Sequence, residues 1–394
     1  MDNESNTAQG EFQTGGVATV SMAHAVHDTY TGFLPALLPV LIQRLSLTNT
    51  AAGLLSVFIR LPSLFQPLIG HLADHANLRL VTILAPTITG AAMSLLGLAP
   101  TYSFLIFLLV IAGASSALLH ATGPIMGSNF SGGKLGKGMS FWMVGGEMGR
   151  TIGPLVTVSF ITYFSVEAMP WLMLAGMLTS VFLYTRLNTV STQVPETGEQ
   201  LQMRSAFKAM RKVFLPLIAI IFAQSMMTGI LNTFLPTFMV NEGASLSMAG
   251  MSSSILYLSG TVGAFLAGGL SDKLGRRKML VISFIATPIA MFLFVQAKNL
   301  LQIPFLVLMG FFGLSITPVI MAIIIENYPD QRSFANGLYM MLSFILQSLA
   351  VILIGFLSDI VSLRFAFYIC TAVLPTGLLF ISLLPKPQYH PAEL

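Results

Sequence analysis

The strongest constraint on this chain is a succession of apolar stretches, each about 20 residues long, that runs from residue 17 to residue 384 with one long polar interruption. A helix crossing the hydrocarbon core of a bilayer needs about 20 mainly apolar residues, and in lipid its backbone polar groups must be satisfied within the helix. On that basis twelve spans are expected, at 17–42, 50–72, 79–98, 101–127, 137–163, 168–186, 213–240, 247–270, 277–296, 300–326, 333–358 and 363–384. Composition agrees, because 55% of the 394 residues are hydrophobic and 9% charged, too apolar for a water-soluble chain of this size. The expected fold class is an all-α polytopic membrane protein. The single Cys370 allows neither an intramolecular disulfide nor a cysteine metal cluster.

The interruption, "LNTVSTQVPETGEQLQMRSAFKAMRK" at 187–212, divides the spans six and six. It reads as a cytoplasmic linker between an N-terminal six-helix bundle, 17–186, and a C-terminal one, 213–386. Cytoplasmic tails at 1–16 and 387–394 complete the expected organisation. The first tail lacks the basic start and small-residue cleavage site of a secretory signal. Lys and Arg set the orientation. With the termini inside, fourteen of the 19 fall in inner loops and tails, and only Arg44, Lys298 and Arg364 fall outside. The basic excess is scattered over loops, so it reflects membrane topology and not a nucleic-acid surface.

The two halves resemble each other. Phe33-Leu34-Pro35 matches Phe234-Leu235-Pro236, and "GHLADHANLR" (70–79) matches "GGLSDKLGRR" (268–277), both at an offset of about 200 residues. Parallel repeats of six spans are an architecture of transporters that bind substrate near the midplane between halves. "GLSDKLGRRK" (269–278) is a nearly complete copy of the signature loop of the major facilitator superfamily, and "GHLADHANLR" is a degraded one keeping Gly70, Asp74 and Arg79. The resemblance implies the major facilitator fold, with twelve transmembrane helices in two halves. It also implies a conformational latch built from Gly70, Asp74, Arg79, Gly269, Asp272, Arg276 and Arg277. "GEMGRTIGP" (146–154) is similar to the glycine–proline motif of antiporters. Together with "LLHATGP" (118–124) and the His and Asp before "GFLPALLP", the N-terminal half resembles the fosmidomycin-resistance group, which are drug efflux pumps. This chain differs from that group in His120-Ala121 and in carrying both Glu147 and Arg150.

Ionisable residues cost about 2.5–3.5 kcal/mol each at a bilayer centre on insertion scales, so inside spans they mark a pathway or a pair. Here they concentrate in the first half: His24, His27, Asp28, Arg60, His120, Glu147 and Arg150. His24, His27, Asp28 and Thr31 share one helix face. Gly145, Gly149 and Gly153 line one side of the fifth span, with Glu147 and Arg150 directed away from it. Asp28, Glu147, His24 and His27 are candidate proton-coupling residues. Arg60, Arg150 and His120, with Asn232 and Gln224 from the second half, are candidate substrate ligands. The arginines could instead serve as structural partners of the carboxylates.

These observations point to proton-coupled efflux, by antiport, of a small and anionic organic compound or drug. The alternative is a symporter taking up an organic anion, a carboxylate, phosphate or phosphonate. No HExxH, GxSxG, P-loop or GxGxxG pattern is present, so no enzyme, catalytic residue, metal site or cofactor is expected, the proton gradient being the energy source. The expected partners are the substrate, protons and lipid. The expected setting is the inner membrane, with a monomeric protein.

Overall fold

The computed structural model describes residues 11–65, 68–69, 77–187, 203–328 and 332–384, and among them there is no strand. The helices are α1 (Thr14–Thr31), α2 (Phe33–Leu45), α3 (Asn49–Phe58), α4 (Arg79–Ser94), α5 (Tyr102–Asn129), α6 (Leu135–Tyr163), α7 (Met173–Arg186) and α8 (Met203–Gly229), followed by α9 (Leu235–Asn241), α10 (Leu246–Leu274), α11 (Arg276–Gln296), α12 (Gln302–Leu314), α13 (Ile316–Asn327), α14 (Arg332–Ile360), α15 (Leu363–Val373) and α16 (Gly377–Ile381). Most of the expected linker, 188–202, lies outside the described residues, as do Gly70 and Asp74.

Helix occupies every expected span, and nine helices among the described residues are long and apolar enough to cross a membrane. The expected spans beginning at 17, 50 and 137 are not among the nine. The first is interrupted at Gly32 and carries His24, His27 and Asp28, and the fifth carries Glu147 and Arg150. The second contributes a shorter apolar helical stretch, Asn49–Phe65. The interrupted first span has a counterpart in the second half. A π-helical turn at Ile230–Phe234 precedes Leu235-Pro236, as Gly32 precedes Phe33-Leu34-Pro35. Proline supplies no N–H to the helical ladder, so both repeats break the helix at the same motif.

The chain forms two compact units. The first comprises Met1–Gly32, Leu61–Gly153 and Phe164–Thr197. In it α4 packs on α5 and α7, and α1 lies against all three. Val20, Ala23, Ile83, Leu119, Met126 and Trp142 are among its buried core. The Tyr30 hydroxyl donates to the Leu172 carbonyl at 2.6 Å and accepts from the Gly176 N–H at 2.8 Å, tying α1 to the start of α7.

The second unit comprises Phe33–Arg60, Pro154–Tyr163 and Gly198–Leu394. Small residues let its helices touch backbone to backbone: a Cβ on Gly263 would sit 2.1 Å from the Phe311 carbonyl oxygen, and one on Gly310 2.3 Å from that of Leu256. Helix α14 packs on both α3 and α8. The Asp359 carboxylate near its end accepts from the backbone N–H groups of Asn49 (2.7 Å) and Thr50 (2.9 Å) and from the Thr50 hydroxyl (2.5 Å). That carboxylate caps the N-terminus of α3, where helical N–H groups have no partner within the helix. Phe107 and Leu178 of the first unit and Phe265 of the second are exposed, as large apolar side chains of spanning helices are expected to be.

The glycines of α6 set the position of α1. A Cβ on Gly145 would lie 2.3 Å from the Ser21 carbonyl oxygen, one on Gly149 2.3 Å from that of Ala25 and 2.9 Å from Asp28 Cβ, and one on Gly153 2.4 Å from the Thr29 oxygen. Gly149→Ala must push α1 away and is expected to destabilise the protein by about 1–3 kcal/mol, as overpacking does. Gly136→Ala, where a Cβ meets nothing within 4 Å, serves as the control and should leave the melting temperature in detergent unchanged or raised. Equal melting curves for the two variants would refute the close approach.

Candidate functional site

The polar stripe of α1 is buried as its periodicity implies: His24, His27 and Asp28 are at most 3% exposed. The helices around it bring three further groups to it. His120 of α5 places Nε2 3.2 Å from His24 Nε2 and 3.9 Å from Asp28 Oδ1. His24 Nε2 lies 3.4 Å from Asp28 Oδ2, and His27 Nε2 lies 3.9 Å from Asp28 Oδ1. From α6, Arg150 sends Nε to Asp28 Oδ2 and Nη2 to Glu147 Oε1, each at 3.3 Å. Arg150 thus bridges two carboxylates, and its side chain, 42% exposed, is the solvent-facing member of the group.

Outside this contact set the rings are held by backbone. His24 Nδ1 is 2.9 Å from the Trp142 carbonyl, and His120 Nδ1 is 2.8 Å from the Ser116 carbonyl. The Trp142 indole stacks on the His24 imidazole with ring centroids 3.8 Å apart. A Cβ on Gly146 would strike that imidazole at 2.4 Å, so glycine there makes room for the ring. Arg150 folds back toward α1, although Glu147 and Arg150 were expected to point away from the glycine face. The side chain is long enough to return to Asp28 around the close contact its neighbour Gly149 creates. Trp142 was not anticipated, and its only sequence signal is that one of the chain's two tryptophans precedes a glycine-rich face. His24, His27, Asp28 and His120 could also offer nitrogen and oxygen ligands; the ligand atoms of His24, Asp28 and His120 lie within 4.8 Å of one another.

The remaining candidates lie elsewhere. Arg60 stands in the turn that follows α3, in the second unit. Gln224 on α8 is buried and donates from Nε2 to the Thr317 hydroxyl at 2.9 Å. Asn232 lies in the π-helical turn. In the signature loop, Gly275 adopts φ +94° between α10 and α11, a conformation that favours glycine. Arg276 pairs there with Asp272 (2.5 Å) and with Glu326 of α13 (2.7 Å). Glu326 is a partner the sequence did not single out. Gly269 is exposed on α10, Arg277 follows Arg276, and the Arg79 backbone N–H donates to Asn77 Oδ1 at 3.1 Å.

A lysine ammonium cannot span the two carboxylates that the guanidinium fork reaches. Arg150→Lys is therefore expected to lose about 1.5 kcal/mol, the low end for hydrogen bonds to charged groups because the side chain is part exposed. A lowered melting temperature in detergent is the readout; an unchanged one would mean that the bridge adds no stability.

A sequence model described as Major Facilitator Superfamily matches residues 20–252 and 217–393. The fosmidomycin resistance protein of Escherichia coli (strain K12) is 23% identical over 386 residues, covering 96% of this chain and 95% of that protein. An uncharacterized MFS-type transporter, YfnC, of Bacillus subtilis (strain 168) is 25% identical over 380 residues, covering 94% and 92%. Among solved structures, a bacterial homolog of the human lysosomal transporter Spinster, inward-facing and occupied, superposes with a TM-score of 0.79 at 13% identity, covering 94% of this chain and 96% of that one. A D-xylose–proton symporter gives 0.72 at 16% identity, covering 94% and 97%. With two matches that together run nearly from end to end of a polytopic helical chain, the protein belongs to the Major Facilitator Superfamily and is a multi-pass membrane transporter, not an enzyme.

Proposed function

We propose that the chain is a proton-coupled secondary active transporter of the inner membrane, with both termini cytoplasmic, that exports a small organic compound in exchange for protons. The observation that carries this reading is the buried Asp28, shared by Arg150 and a cluster of histidines inside membrane-length helices. Such a group has two charge states that differ in their contacts, and differential affinity between access states is what couples two ligands. Proton binding at the cluster weakens the hold of Asp28 on Arg150. The export direction rests on the likeness to the fosmidomycin resistance protein.

The part-exposed guanidinium of Arg150 supports a substrate with an anionic group, since its planar fork suits a carboxylate or phosphonate. That same feature favours a second reading, uptake of an organic anion with protons. An anion that draws Arg150 away leaves Asp28 without its cation and raises the cluster's demand for a proton. The two readings differ in sign: in exchange, substrate binding releases protons from the purified protein, whereas in co-transport it takes them up. Calorimetry in buffers of different ionisation enthalpy reads that sign directly. In proteoliposomes, Asp28→Asn is expected to abolish transport driven by a pH gradient while substrate binding survives. Retained uphill transport would remove Asp28 from coupling and leave the role to Glu147.

Alternating access also needs contacts that break on each side in turn. In the proposed orientation, Arg276 with Asp272 and Glu326 closes at the cytoplasmic side, and the Asp359 cap on α3 closes at the outer side. Loss of a helix cap costs about 1 kcal/mol, so Asp359→Ala should shift the balance of access states about fivefold toward the outward-open one. A cysteine replacing buried Ser56 should then react faster with an impermeant maleimide added outside; an unchanged rate would eliminate the cap as a gate.

A further inference from the structure

The hydrogen positions of two histidines follow from their neighbours. A carbonyl oxygen can only accept, so His24 Nδ1, 2.9 Å from the Trp142 oxygen, carries a hydrogen. His120 Nδ1, 2.8 Å from the Ser116 oxygen, carries one for the same reason. A neutral imidazole has a single N–H. Were both rings neutral, each Nε2 would therefore present a bare lone pair to the other at 3.2 Å, with the carboxylate of Asp28 3.4 Å from His24 Nε2. Arg150 Nε donates to that carboxylate oxygen, but the two ring nitrogens would converge with no hydrogen between them, in a place where His24 and Asp28 are buried. An unmade hydrogen bond costs most there.

We infer that a proton is held between His24 Nε2 and His120 Nε2, so that the histidine pair is the proton-binding site and Asp28 its fixed counter-ion. This rests on the transport reading above and deepens it by naming the atoms. The extra proton turns a lone-pair collision into an N–H···N hydrogen bond. It resides on His24, which is nearer the carboxylate and stacks on the Trp142 indole, a face that attracts cations. Among the described residues, the charged and titratable groups around the pair are His27 and Asp28 of α1, and Glu147 and Arg150 of α6; Ser116 of α5 contributes a hydroxyl 3.3 Å from His120 Nδ1. Glu147 balances Arg150, which leaves the charge of Asp28 to balance one imidazolium. His120, a third exposed at its side chain, is the exit: water takes the proton there, and water returns it. His120 then acts with the proton and not as a substrate ligand. His27, whose Nε2 lies 3.9 Å from Asp28 Oδ1, lies outside the pair.

Ring-15N-labelled histidine in the purified full-length protein reports this without substrate or gradient, because the chain contains only 6 histidines. At neutral pH the expected spectrum contains one imidazolium whose Nε2–H is coupled across a hydrogen bond to a second ring nitrogen. His24→Asn and His120→Asn should each abolish that signal, and His27→Asn should retain it. Six neutral rings in the wild-type spectrum would overturn the inference, and that spectrum decides even if a variant fails to fold. Stoichiometric zinc in wild-type protein, with the histidine signals altered by a chelator, would overturn it in favour of a metal ion. Because the spectrum involves no transport, its failure leaves the exchange reading standing. An intact imidazolium in a protein that shows no pH-driven transport would sink that reading alone.

Discussion

The site depends on how closely α6 approaches α1. Gly145, Gly149 and Gly153 leave no side chain between α6 and the backbone of Ser21, Ala25 and Thr29. At that separation the Trp142 carbonyl reaches the His24 ring and Arg150 reaches Asp28. Hydrogen bonds weaken steeply over a few tenths of an ångström, so a methyl group between the helices would loosen both contacts together. The glycine stripe acts as the ruler for the polar chemistry.

That chemistry is constrained by charge balance. Ionised groups inside a membrane are tolerated when paired, and here one guanidinium serves two carboxylates while three imidazoles surround one of them. Any charge added to such a set changes the pairing of the groups already there, because Arg150 Nε already meets Asp28 and its Nη2 already meets Glu147. The second half of the chain offers no such set at the corresponding positions. Ser225, Thr228 and Gly229 stand where the first has His24, His27 and Asp28, and the buried Gln224 is bonded to Thr317. At those positions it offers neutral side chains only.

Carboxylates near helix ends recur at the two contacts proposed above as gates. Asp359 meets the free N–H groups that begin α3, and Asp272 meets Arg276 across the turn that Gly275 permits. Both contacts are exposed to solvent on at least one side, which keeps each worth little, as the proposed gating role requires. The buried cluster has no such freedom unless its charge changes.

The membrane made the fold legible. A bilayer demands apolar length and internal backbone hydrogen bonding, so the all-helical fold, the positions of nine long apolar helices and the repeated break at Phe33-Leu34-Pro35 could be read from residue order alone. The face shared by His24, His27 and Asp28 was equally legible, because helical periodicity dictates which side chains lie together. Periodicity says nothing about what stands opposite a face. It left open whether Arg60 or Arg150 would meet Asp28, gave no reason to place His120 against His24, 96 residues away, and passed over Trp142 and Asp359. Those contacts join segments far apart in sequence, and helix packing decided them through the glycines that set how near two backbones can come.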